Sequence, residues 1–216
     1  MSSTPSTSEL AVRGAPVALR DGSHVRIRQG HSSDRQLLIR GFERLSPESR
    51  YRRFLAPMSE LSEQTLRYLT EIDHHDHEAM IALEEDSGEG VGVARYVRDP
   101  ERPDSAEVAV TVVDDWQGRG LGTLLLDVIG ARARQEGIAM FTAVVLTTNH
   151  TVIDLLRQLD YVRVLDRDGG TVELAVSIPP IGVAPALRKL LRIAAQHDVA
   201  IPPTARPRTR SVSGSG

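Results

Sequence analysis

The stretch Asp114–Gly137, DDWQGRGLGTLLLDVIGARARQEG, places glycines at Gly118, Gly120 and Gly122, directly before an apolar pattern of helical period. Alternating glycines between a strand and a helix let several backbone N–H groups point to one place. The helix start adds its own unpaired N–H groups and the positive end of its dipole. That combination makes an anion site, most simply a cradle for a phosphate or pyrophosphate, with Gln117 and Arg119 as candidate side-chain donors. The alternative is a tight strand-to-helix turn without a ligand, although these glycines exceed what a turn requires. A P-loop is excluded because no Gly-Lys-Ser/Thr follows. A dinucleotide fingerprint is excluded because the spacing is Gly-x-Gly-x-Gly and the run follows a late strand.

Outward from this stretch the chain reads as one domain. Residues 1–19, rich in Ser, Thr and Pro, read as a disordered leader. HVRIRQG (24–30) alternates like a first strand. Helices are expected in SSDRQLLIRGFERLS, capped by Ser32 or Ser33, in SPESRYRRF with Ser46 as cap and Pro47 in its first turn, and after Ser62 with Leu66 and Leu69 inward. AMIALEE and GVGVARYVRD form a hairpin around DSGEG, and SAEVAVTVVDD is the next strand. A helix over about 121–135 ends at Gly137. The segment AMFTAVVLTTN reads as a buried strand, HTVIDLLRQLD as a helix, and YVRVLDRDGGTVELAVSI as a hairpin turning at 168–170. The strand-helix-strand connection implies parallel neighbours, and the hairpins antiparallel ones. The expected fold is therefore α/β, a mixed, mostly antiparallel sheet with helices on both faces, over residues 20–178. An extra amphipathic helix is expected over 179–200, docked on its own core or on a second copy of the chain, before a basic tail over 201–216.

Composition narrows the function. Of 216 residues 40% are hydrophobic and 25% charged, and the net charge is −3, which gives no basic field for nucleic acid. Cysteine is absent, which removes disulfides and thiolate chemistry and fits a reducing cytoplasm. No run suits a membrane span or a signal peptide. The chain has a single lysine, Lys189, among many arginines. DHHDHE (73–78) crowds histidines and acids. Its tight spacing cannot bring enough ligands to one ion, so no metal is expected, and the segment reads as a solvated loop, with a substrate-entrance role as the alternative.

The segment VTVVDDWQGRGLGTLLL resembles the acetyl-CoA signature of the GNAT N-acetyltransferases, a strand leading to Gln/Arg-x-x-Gly-x-Gly/Ala and a helix. Gln117, Gly118, Gly120 and Gly122 match it. The segment TTNHTVIDLLRQLDYV is similar to the second signature, Asn149 matching its Asn and Tyr161 its aromatic residue. Upstream, the region from Glu43 to Leu83 resembles the bacterial protein-lysine acetyltransferase branch. Some members of that branch carry a cyclic-nucleotide-binding domain or a synthetase-like region, for which 216 residues leave no room.

The resemblance implies a GNAT-type sheet and direct acetyl transfer from acetyl-CoA to a primary amine, a protein lysine side chain. A small-molecule amine, or a silent acyl-CoA sensor, is the alternative. It further implies that Val112, Val113, Gln117, Gly118, Arg119, Gly120, Leu121, Gly122, Thr123 and Asn149 bind the cosubstrate. The base is expected to be Glu107, which opens an otherwise apolar strand, with Glu84 and Glu85 as rivals. The family's tyrosine acid falls at Leu156, leaving that role to Tyr161, His150 or water.

Overall fold

The computed structural model describes residues 14–147, 162–168 and 170–178. Its sheet has eight strands: β1 (Pro16–Ala18), β2 (His24–Gln29), β3 (His77–Glu84), β4 (Gly90–Asp99), β5 (Arg102–Val112), β6 (Met140–Leu146), β7 (Val162–Asp168) and β8 (Thr171–Ser177). Their spatial order is β1-β2-β3-β4-β5-β6-β8-β7, and every pairing is antiparallel except β5 with β6. The expected mixed, mostly antiparallel sheet is thus the observed one. The leader is corrected at its end: Pro16–Ala18 pairs with His24–Arg26, and Val17 is buried in the core. A three-residue apolar alternation is too short to stand out from a polar leader, and only its pairing with β2 makes it a strand.

Three short helices precede β3: α1 (Arg35–Glu43), α2 (Pro47–Phe54) and α3 (Glu63–Thr70). Ser46 Oγ accepts the Ser49 N–H and Ser62 Oγ the Thr65 N–H, each at 3.1 Å, so both caps are those the sequence indicates. At α1 the cap differs. Ser32–Asp34 form a 3-10 turn, and Asp34 accepts the His31 N–H at 2.7 Å while gripping the Arg28 guanidinium. The fourth helix, α4 (Leu121–Gln135), follows the glycine run and carries the chain to β6, parallel to β5.

The two sheet faces are separated by strand parity. On β4 and β5 one set, Ala94, Tyr96, Val108, Val110 and Val112, is buried toward α4, and a Cβ on Gly92 would point the same way. Val93, Arg95, Thr111 and Val113 turn to the opposite face, where they line a cavity under α1, α2 and α3. The expected second-signature helix, with Asn149, Leu156 and Tyr161, lies outside the described residues, as do the expected C-terminal helix and tail.

Gly92 shows how tightly α4 lies on the sheet. A Cβ there would meet Leu125 Cδ1 at 2.9 Å, the Thr111 carbonyl oxygen at 3.2 Å and Leu121 Cδ2 at 3.4 Å. Overpacking of this kind costs about 1–3 kcal/mol. Gly92→Val is expected to lower unfolding stability by that amount in urea titration, with an unchanged m-value.

Candidate active site

Strands β5 and β6 pair only through Ser105–Met140, Ala106–Phe141 and Glu107–Thr142. Beyond Glu107, β5 stays on β4 up to Val112, and β6 stays on β8 up to Leu146. The sheet therefore splays open with Glu107 at the closed end. The Val113 N–H donates to the Val91 carbonyl, so odd-numbered residues of β5 bond β4 and even-numbered ones turn their backbone groups away from it. Val108 and Val110 thus present N–H and C=O groups to the opening, and Val112 its N–H, since its carbonyl accepts from the Gln117 side chain. The Val113 N–H is spent on β4, and its carbonyl accepts the Trp116 N–H at 2.9 Å.

The open end of the splay runs into the glycine loop. Gly118 and Gly120 hold φ of 76° and 92°, the left-handed region that glycine alone enters without strain. Among the described residues, the N–H groups of Gly118, Leu121, Gly122 and Thr123 donate to no acceptor. Leu121 meanwhile buries its side chain in the core, and Thr123 Oγ1 is buried without a partner. The concentration of free donors is what an anion requires.

The two side chains expected to assist are already engaged. Gln117 Nε2 donates to the Val112 carbonyl at 3.1 Å and lies 3.5 Å from Ser49 Oγ. Arg119 pairs with Asp21 at 3.1 Å, donates to the Asp115 carbonyl at 2.6 Å and lies over the Trp116 ring. Trp116 is buried beneath the loop. A different cation stands beside the glycines: the Arg20 side chain lies 3.3 Å from where a Cβ on Gly120 would be. Nothing in the sequence pointed to Arg20, because only the β1–β2 turn brings it there.

A paired-serine clamp fixes α2 to this region. The Asp114 carboxylate accepts the Ser46 N–H at 2.8 Å, the Ser46 hydroxyl at 3.0 Å and the Ser49 hydroxyl at 2.8 Å, while Arg44 pairs with Asp115 at 3.0 Å.

Residues 42–161 match the acetyltransferase (GNAT) family. The chain belongs to that family. It is 33% identical over 192 residues to "Acetyltransferase Pat" of Mycolicibacterium smegmatis, a match that covers 84% of this chain and 57% of the relative. With "Acetyltransferase PA5475" of Pseudomonas aeruginosa it shares 36% identity over 156 residues, covering 71% and 83%. The crystal structure of the GNAT domain of S. lividans PAT superimposes with a TM-score of 0.68 at 33% identity, covering 81% of this chain and 99% of that one. The chain thus spans little more than half the length of the Mycolicibacterium relative. It is an acyltransferase enzyme of the GNAT fold.

In this GNAT domain Glu107 sits on the α1–α3 face, at the end of the splay. Its Oε1 is buried with no hydrogen-bond partner among the described residues. Burial pushes its carboxyl up to about 7, a rise opposed by the Arg53 charge and reinforced by Glu173. The rivals are elsewhere. Glu84 ends β3 at the β3–β4 turn and accepts from Ser87, and Glu85 pairs with Arg26, whereas Glu107 lies across from Val97, itself across from His77 at the start of β3.

The 73–78 segment is more built than a solvated loop. Glu78 is fully buried and takes Gln29 Nε2 at 2.9 Å, His74 Nδ1 at 2.9 Å and Arg132 Nε at 3.1 Å, tying β2, β3 and α4 together. His75 bonds Glu136, and Asp73 accepts the N–H groups of His75, Asp76 and His77. His77 is pushed down to about 4 by burial and by the Arg95 charge, so it stays neutral and accepts from Arg95 at 2.9 Å. Among the described residues no group of three His, Cys, Asp or Glu could hold a metal.

The raised Glu107 carboxyl carries a stability cost of definite sign. In the unfolded chain it ionises near its ordinary value of 4.5, and in the fold only near 7, so stability falls as pH rises between these values. Each pKa unit corresponds to ~1.4 kcal/mol, which puts the loss at about 3 kcal/mol above pH 7. Glu107→Gln is expected to stabilise the domain by about 2–3 kcal/mol at pH 8 and by nearly nothing at pH 4.5, measured by denaturant titration at both values.

Proposed function

We propose that this GNAT acyltransferase moves an acetyl group from acetyl-CoA to a primary amine, the side chain of a protein lysine, with Glu107 as general base. The observation that carries the reading is the Glu107 carboxyl at the closed end of the splay, its Oε1 buried without a partner among the described residues. Its distance from the glycine loop supports it: the run of β5 from Glu107 to Val112 is about 17 Å at the rise of a strand. That suits an extended pantetheine arm with its pyrophosphate on the free N–H groups at the start of α4. The backbone groups of Val108 and Val110 lie along the arm and can hydrogen-bond its amides. The protein-lysine acceptor draws its support from the likeness to the two Pat proteins.

A lysine ammonium with an ordinary pKa near 10.4 must lose a proton before it attacks. Glu107, ionised above about pH 7, takes that proton. The amine nitrogen then forms the C–N bond at the thioester carbonyl, the C–S bond breaks, and sulfur leaves as thiolate and takes a proton. Backbone N–H groups on the splay side of β5 are placed to stabilise the oxyanion that develops in between.

General-base catalysis contributes typically 10²–10⁴-fold. Glu107→Gln is therefore expected to lower turnover by about that factor with acetyl-CoA affinity nearly intact, and wild-type kcat/KM should rise tenfold per pH unit up to about 7. The measurement is CoA release with lysine-bearing protein acceptors, beside calorimetric binding of acetyl-CoA. Full activity in the Gln variant would remove Glu107 from the mechanism. Binding without turnover on any acceptor would make the chain an acyl-CoA sensor instead.

A further inference from the structure

Among the described residues, an acyl group carried to the end of the splay meets closed walls on two sides. Ahead, the Glu107–Thr142 pairing closes the sheet. On the α4 side, Val108, Val110 and Val112 are buried under the helix, and Leu125 presses on Gly92. On the other side, the face that carries Glu107, lies the cavity of ≈ 70 Å³ beneath α1, α2 and α3. One water needs roughly 10–15 Å³, so this volume suits a group of a few heavy atoms and not a whole acceptor molecule.

The walls are mostly apolar, among them Phe42, Leu69 and Val93, and the polar side chains facing it are Arg53, Arg95 and Thr111, with no Asp or Glu among the lining residues. Arg95 is 1% exposed. It donates to the Leu69 carbonyl at 2.8 Å and to neutral His77, yet among the described residues its Nε is buried without a partner, and so is Thr111 Oγ1. The two are diagonal neighbours on β4 and β5, with Arg95 opposite Ala109 and Val93 opposite Thr111. Diagonal pairs stand about 7–8 Å apart, within the reach of an arginine. Two unsatisfied hydrogen-bonding groups therefore share one small apolar volume, one of them on a buried cation that contacts no carboxylate among the described residues. Leaving such groups unpaired is expensive.

We propose that this cavity receives the far end of an acyl group that terminates in a carboxylate, so that the enzyme uses CoA thioesters of dicarboxylic acids, succinyl-CoA being the representative. The inference rests on the reading that the thioester lies beside Glu107. The carboxylate oxygens accept from Arg95 Nε and the Thr111 hydroxyl, and the chain's methylenes lie on the apolar walls. Burial and the nearby Arg53 charge hold the Arg95 guanidinium down at about 9, and an anion in the cavity offsets both effects. The transfer is otherwise that of acetyl: C–N forms, C–S breaks, the amine proton goes to Glu107, and the thiolate leaves. The product amide ends in a carboxylate, which turns an acceptor lysine from one positive charge to one negative.

Calorimetric binding of acetyl-CoA, butyryl-CoA and succinyl-CoA to the full chain at pH 7.5 tests this without an acceptor. Butyryl has the same four-carbon length and no charge. Succinyl-CoA is expected to bind at least tenfold more tightly than butyryl-CoA. Thr111→Val keeps the shape and removes only the hydroxyl, and it should cut that ratio several-fold; Arg95→Gln, checked for folding by circular dichroism, should bring it near unity. Succinyl-CoA binding no tighter than butyryl-CoA, or a ratio unmoved by Thr111→Val, overturns the inference while acetyl-CoA binding leaves the acetyltransferase reading standing. Failure of all three thioesters to bind overturns both.

Discussion

The early parting of β5 and β6 is the constraint on which the rest of this domain depends. Parallel pairing is slightly weaker per residue than antiparallel pairing, and each of these strands has an antiparallel partner that it follows throughout, β4 for β5 and β8 for β6. As the sheet twists, the weaker contact gives way after Glu107. A row of backbone groups on β5 is left facing open space, a costly arrangement for a buried strand unless something polar lies along it. A pantetheine arm with its two amides fits that need.

The same parting explains the placement of charge. The polar end of the opening meets the free N–H groups of the glycine loop and the start of α4, and the closed end meets a carboxylate with little access to water. Asp114 and Asp115 join the two ends mechanically. They close the strand, clamp α2 through Ser46 and Ser49, hold α1 through Arg44, and lead directly into the glycines. Helix α2 carries Arg53, whose charge acts on Glu107, so the glycine-loop end and the Glu107 end of the opening are both tied to one short helix.

Buried charge is handled differently on the two faces. Toward α4, Glu78 is fully compensated by Gln29, His74 and Arg132, and its network reads as structural. On the α1–α3 face, Glu107, Arg95 and Thr111 keep buried polar atoms without partners among the described residues. Unsatisfied groups of this kind lower stability and are kept where chemistry or binding uses them.

Much of this was legible in the sequence, because the signals are local. The caps at Ser46 and Ser62, the helix over Leu121–Gln135, the hairpin at 168–170 and the glycine run that frees backbone N–H groups follow from residue chemistry within a few positions. Glu107 stood out as one acid opening an apolar strand. What the sequence could not decide is which groups remain available once the strands are paired. Val113 and Val108 look alike in the chain, yet parity commits one to β4 and frees the other. Gln117 and Arg119 read as donors, but the nearby Val112 carbonyl and Asp21 occupy them. The short strand at Pro16, the Arg20 side chain beside Gly120, and Arg95 meeting Thr111 in one cavity all arise from contacts between residues distant in sequence. Local propensity is written residue by residue; hydrogen-bond satisfaction is a property of the assembled sheet.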